Sequence, residues 1–102
     1  TTVGYAASKG AIEAMSLAAA AYYAPCGIRI NVIAPGLVRT PMSARAQTNA
    51  QITEYMIHKQ PLTKGLLSAE DIAKTACYLL RSESSPITGQ IVTVDGGWTV
   101  SE

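Results

Sequence analysis

Tyr5 and Lys9 stand four residues apart in the stretch GYAASKG, residues 4 to 10. On a helix that spacing puts both side chains on one face, so both reach one pocket. A phenol titrates near 10 and is a poor proton-transfer group at neutral pH. An ammonium about 4 Å away favours the phenolate by on the order of 4 kcal/mol at an effective dielectric of about 20. The pair thus reads as a general acid/base, Tyr5, whose pKa Lys9 is expected to lower. A place near a helix N-terminus works in the same direction, because the macrodipole favours negative charge there. The same residues also read as a packed ring and a solvated amine on an ordinary helix, and the spacing alone does not choose.

Few other residues form a chemical constellation. Cys26 and Cys77 belong to no Cys-x-x-Cys pair, and the single histidine, His58, is near neither in sequence, which argues against a zinc site. Two reduced cysteines in a cytoplasmic protein are the expectation. The 102 residues are 48% hydrophobic and 15% charged with a net charge of +1, the composition of a soluble globular chain. That balance argues against an electrostatic nucleic-acid binder. No apolar run approaches the roughly 20 residues of a membrane span, and the first residues show no signal-peptide pattern. The sequence starts Thr-Thr-Val without an initiating methionine, so a processed chain or part of a longer one is expected.

The elements that must position the pair follow from local pattern. Residues 5 to 24 are crowded with alanine, the best helix former, and Pro25 and Gly27 stop the helix. Its small side chains allow close approach of another element. "IRINVIA", 28 to 34, reads as a β-branched strand ending at the Pro35-Gly36 turn. Residues 40 to 60 read as short helices or a lid, with Met42, Ile52 and Met56 as sparse apolar positions and Thr40-Pro41 as an N-cap followed by first-turn proline. Ser68 and Asp71 form a capping-box pattern ahead of Ile72, Ala73, Ala76, Cys77, Leu79 and Leu80 at helical spacing. Residues 84 to 89 are a loop, "QIVTV" at 90 to 94 is a second strand, and Asp95-Gly96-Gly97 is a tight turn. Helix, strand, helical lid, helix, strand is an α/β order whose last three main elements make a β-α-β unit with parallel strands. Two strands leave unpaired edges and fall short of a self-standing sheet, so the chain reads as the end of an α/β domain whose other strands lie elsewhere.

Four stretches, "GYAASKGAI", "GIRINVIAPGLVRTPM", "SAEDIA" and "ITGQIVTVDGG", together resemble the C-terminal half of a classical short-chain dehydrogenase/reductase. The resemblance covers nearly the whole chain. It implies the C-terminal part of a Rossmann-like, doubly wound parallel sheet, with residues 1–102 as half of one domain and 40–60 as its substrate lid. It implies hydride transfer between NAD or NADP and a small alcohol or carbonyl substrate, in a cytoplasmic homo-oligomer (dimer or tetramer) acting on neither nucleic acid nor membrane. Tyr5 matches the proton acid/base, and Lys9 the lysine that tunes it and binds the nicotinamide ribose. Pro35 and Gly36 match the turn beside the nicotinamide, Val38 (backbone) and Thr40 (hydroxyl) the positions that hold its carboxamide. No metal is implied.

The glycine-rich phosphate loop and the catalytic serine of that family do not occur in these residues. The 102-residue piece alone is therefore expected to be inactive, and the missing N-terminal half of the domain is its expected partner. The alternative is a catalytically silent fragment serving as an assembly or interaction module. Other residues take plainer readings. Ser8 is a helix or interface residue and Asn31 is structural. Tyr22, Tyr23 and Tyr78 are packing residues, while His58, Arg39 and Arg45 are solvated surface. Trp98 lines either a cleft or an oligomer contact.

Overall fold

A computed structural model describes residues 2–102. In chain order the elements are α1 (Thr2–Tyr23), β1 (Val32–Pro35), α2 (Ala44–Thr48), α3 (Ala50–Lys59), α4 (Ala69–Leu80) and β2 (Ile91–Val94). The order of elements is the expected one, with short helices in the segment between β1 and α4. β1 and β2 form a two-stranded sheet. Val32 N–H donates to Gln90 C=O and Gly36 N–H to Val94 C=O, the constant offset of parallel strands. The chain divides into two compact units, one built from residues up to Val32 with Tyr78–Val92, the other from Ile33–Cys77 with Thr93–Glu102.

In the first unit, α1 gives way to a 3₁₀ turn, Ala24–Cys26, that contains Pro25. Gly27 closes it with φ 75°, a left-handed conformation that glycine adopts without steric cost. Ala20 is buried, and a Cβ on Gly89 would stand 3.6 Å from its methyl group. The small side chains of α1 do admit close approach of another segment there. Tyr22, Tyr23 and Tyr78 are exposed rather than packed, and Tyr22 meets Tyr23 edge-on.

The strand expected from Ile28 begins only at Val32. The backbone before it is engaged by a loop instead of a ladder. Ile30 N–H donates to the Thr88 hydroxyl at 3.1 Å, and Gly89 N–H donates to Ile30 C=O at 2.8 Å. Asn31 spans the same loop, donating to Ile87 C=O at 3.0 Å and accepting from Gln90 N–H at 3.1 Å. That is the structural role read for it.

Arg29 ties this loop to the end of α4. Its guanidinium donates to the carbonyls of Leu79 (2.7 Å), Ser84 (3.0 Å) and Ile87 (3.0 Å). Helix ends leave carbonyls without intrahelical partners, and the planar fork of Arg can serve several at once. Fully buried Ser84 adds a hydroxyl bond to Leu79 C=O at 2.9 Å.

The second unit buries Met56 and Leu67. Residues 40 to 60 form a 3₁₀ turn, Pro41–Ser43, followed by α2 and α3. Thr40 stands at the N-cap with Pro41 in the first turn, as expected. Asn49 caps α3 by accepting from Ile52 N–H at 3.1 Å. Met42, expected among the apolar positions, is exposed. Ser68 and Asp71 form the capping box of α4: Asp71 accepts from Ser68 N–H at 3.0 Å and from its hydroxyl at 2.8 Å, and Ser68 Oγ accepts from Asp71 N–H at 3.2 Å. The apolar stripe of α4 is only partly covered. Leu79 is buried and Ile72 and Ala76 are half-buried, but Ala73, Cys77 and Leu80 are exposed. Helical periodicity identifies a face, and the coverage of that face depends on what lies against it.

Replacing Arg29 by Lys removes the fork while keeping the charge. We expect a loss of about 2 kcal/mol, the scale of leaving carbonyls unpaired, measured by urea unfolding with an unchanged m-value.

Candidate active site

The tyrosine and lysine sit in the first unit, near the start of α1. Lys9 Nζ lies 5.5 Å from the centroid of the Tyr5 ring, within cation–π range. The phenol is 60% exposed, so a ligand can reach it. Ser8 donates its hydroxyl to Tyr5 C=O at 2.7 Å. That is a local helix contact, as expected for Ser8, and it turns Ser8 away from any role as a free nucleophile.

Pro35, Gly36, Val38 and Thr40 sit in the second unit, where the chain leaves β1. Gly36 is required there by close approach. A Cβ at this position would stand 2.5 Å from Gln60 Oε1, 2.9 Å from Asp95 Cα and 3.1 Å from Asp95 Cβ. Beyond Gly36 the chain forms an isolated parallel bridge between Val38 and Leu67. Leu67 N–H donates to Leu37 C=O at 3.0 Å, and Arg39 N–H donates to Leu67 C=O at 2.9 Å. In such a bridge the polar groups of the intervening residue, Val38, point to the other side. Val38 C=O accepts from the Ser43 hydroxyl at 2.6 Å. Val38 N–H has no hydrogen-bond partner among the described residues.

Ser43 and Gln60 are the site-forming residues that the sequence reading missed. Buried Ser43 accepts from Thr40 N–H at 3.0 Å, and Gln47 donates to Thr40 C=O at 2.7 Å. Gln60 accepts from Leu37 N–H and donates to Leu37 C=O at 3.2 Å and Gly65 C=O at 2.7 Å. In the sequence Ser43 looks like a polar surface residue and Gln60 like the edge of a loop before Pro61. No local pattern marks either.

A cavity of about 340 Å³ opens beside the turn, with Pro35, Gly36, Leu37, Asp95, Trp98 and Thr99 in its wall. The Trp98 ring in that wall meets Tyr55 of α3 edge-on at 6.0 Å. The Asp95 carboxylate is occupied in its own turn. It accepts from Gly97 N–H at 2.9 Å, Thr99 N–H at 2.8 Å and the Thr99 hydroxyl at 2.9 Å. The Thr99 N–H bond, helped by the Gly97 N–H and the Thr99 hydroxyl, holds the carboxyl below the usual 3.8. It does not serve as a proton donor at neutral pH. His58, Arg39 and Arg45 are exposed. No group of three or more potential metal ligands occurs among the described residues, and no helix among them is long and apolar enough to cross a membrane.

Known proteins place these elements in context. The family model described as enoyl-(acyl carrier protein) reductase matches residues 1–99. Galactitol 2-dehydrogenase (L-tagatose-forming) from Cereibacter sphaeroides is 36% identical over 94% of this chain, and cis-4-hydroxycyclohexanecarboxylate dehydrogenase from Sinomonas cyclohexanicum is 35% identical over 93%. The chain spans 37% of the length of each of these two relatives. Among solved structures, a 4-hydroxyisoleucine dehydrogenase complexed with NADH superposes with a TM-score of 0.92 at 29% identity, covering 98% of this chain and 41% of that one. A short-chain type dehydrogenase/reductase from Mycobacterium ulcerans gives 0.88 at 32% identity, covering 96% of this chain and 35% of that one.

The lowered Asp95 pKa fixes a sign. A carboxyl depressed in the folded state stabilises it above the unfolded value, and that contribution is lost as pH falls through the folded value. The Asp95 carboxyl should titrate by NMR with a midpoint below 3.8, and the Thr99 amide should lose protection, relative to its intrinsic exchange rate, over the same acid range. A midpoint at or above the ordinary value would contradict the hydrogen-bonded turn.

Proposed function

The chain belongs to the short-chain dehydrogenase/reductase family, and from that premise we propose that it is the C-terminal part of an NAD- or NADP-dependent oxidoreductase. The enzyme moves a hydride between the nicotinamide and a small alcohol or carbonyl compound. The cofactor supplies the hydride chemistry, and the protein supplies orientation and proton transfer. On this reading the nucleotide-binding half of the domain, with its phosphate loop, is the rest of the whole protein; the chain's span of 37% of a curated relative's length supports that.

Tyr5 is the proton acid/base. Its phenolic hydroxyl gives its proton to the forming alkoxide in reduction and takes one from the alcohol in oxidation. Lys9 carries a positive charge on the same helix face, and it binds the nicotinamide ribose. Supporting this is the Lys9 ammonium 5.5 Å from the centre of an exposed Tyr5 ring on one helix face. Pro35 and Gly36 form the turn beside the nicotinamide, and the unpaired Val38 N–H and the Thr40 hydroxyl hold its carboxamide. Residues 40–60 form the substrate lid of this single Rossmann-like domain, and the enzyme works in the cytoplasm as a homo-oligomer. Without the nucleotide-binding half the piece is inactive.

The test uses the whole enzyme. Tyr5→Phe should lower kcat by roughly 10²- to 10⁴-fold, the usual contribution of a positioned acid/base, with NAD(P)H affinity nearly unchanged in a fluorescence titration. Lys9→Ala should weaken cofactor binding as well as turnover. A Tyr5→Phe enzyme that keeps most of its activity removes the assignment. A whole protein that binds neither NADH nor NADPH supports the silent assembly module instead.

A further inference from the structure

We propose that Gln60 is a positioning residue that ties the lid helix α3 to the cofactor turn, so that the two are ordered together. Gln60 is fully buried at the C-terminal end of α3. Its N–H belongs to the lid, donating to Met56 C=O at 2.8 Å, while its C=O accepts from the Thr63 hydroxyl at 3.3 Å in the loop that follows. Its side chain belongs to the turn. The amide oxygen accepts from Leu37 N–H and the amide nitrogen donates to Leu37 C=O, so both polar groups of one turn residue are held by one side chain. The second amide hydrogen goes to Gly65 C=O at 2.7 Å. The orientation of the amide follows from the partners, because an N–H can only donate and a carbonyl only accept.

Glycine stands at two places where the side chain passes. A Cβ at Gly36 would meet Gln60 Oε1 and a Cβ at Gly96 would stand 3.1 Å from Gln60 Cβ. Burying a primary amide is costly unless all its groups are paired, and an apolar side chain would fill the space without that demand. The amide accomplishes something an apolar residue does not. It fixes the Leu37 peptide groups, and with Leu67 on the other side it leaves the neighbouring Val38 N–H as the free donor. Movement of α3 would pull on Leu37, and a ligand held at Val38 would in turn restrain α3. Cofactor binding and lid order are therefore linked through Gln60. This rests on the cofactor reading of the turn given above.

The experiment compares whole-protein variants Gln60→Met and Gln60→Glu with Ser84→Ala, a control that removes another fully buried polar group, in the other unit. Hydrogen exchange without cofactor is read for residues 36–40 and 50–59, and NADH and NADPH affinities are titrated by fluorescence. Gln60→Met should accelerate exchange in both segments and weaken cofactor binding by about tenfold, the scale of lost hydrogen bonds. Ser84→Ala should change cofactor affinity less than about twofold even where it lowers thermal stability as much. Gln60→Glu keeps the acceptor for Leu37 N–H but sets a carboxyl against the Leu37 and Gly65 carbonyls, and should accelerate exchange at least as much as Gln60→Met. If neither variant folds, NADH should slow wild-type exchange at 50–59 together with 36–40, and slowing confined to 36–40 overturns the link. Unchanged exchange at 36–40 overturns the clamp. Changed exchange with unchanged affinity, or equal losses in Ser84→Ala, overturns the positioning role. Failure of the functional reading shows separately, as wild-type protein that binds neither cofactor, while the exchange data still judge the clamp.

Discussion

A chain that leaves a sheet takes its peptide groups with it, and each must find a partner or remain open to a ligand. This constraint governs the segment after Pro35. Gly36 N–H still belongs to the strand pair through Val94 C=O. From Leu37 to Thr40 the partners are Gln60, Leu67, Ser43 and Gln47, all later in the chain. Among the backbone donors from Gly36 to Thr40, Val38 N–H alone lacks a partner among the described residues. Glycine at 36 follows from the same crowding, since the turn packs against Asp95 and Gln60 too closely for a Cβ.

The first unit meets the same constraint with a charge. The carbonyls near the end of α4 and in the loop after it converge on Arg29, and Ser84 takes part of the load. One long side chain thereby closes a loop that no regular ladder reaches. The cost is that residues 28 to 31, β-branched and strand-like by pattern, spend their backbone and side-chain bonds on residues 87 to 90 and do not extend β1.

Local signals in the sequence were readable because their causes are local. The alanine run of α1, the Pro25 and Gly27 stop, the Ser68–Asp71 capping box and the Asp95 turn each depend on residues a few positions apart. The Tyr5–Lys9 pair is of that kind too, because a helix fixes i and i+4 by itself. The start of β1 and the coverage of α4 depend on distant residues, and there the pattern misled: Leu80 lies on the apolar stripe yet is 83% exposed. Gln60 and Ser43 are the extreme case. A buried glutamine is legible only through its partners, and its partners are 23 residues away for Leu37 and five for Gly65.

The same division bears on how α3 can vary. α3 is pinned at its end by Gln60 and at its start by the Asn49 cap, while Met56 alone along its length is buried. Its remaining side chains, including Tyr55 against Trp98 at the cavity wall, carry none of the bonds that shape the turn. Substitutions at its exposed positions remove no bond to Leu37 or Val38. A helix fixed by Asn49 at its start and by Gln60 at its end can vary its exposed positions independently of the bonds that shape the turn.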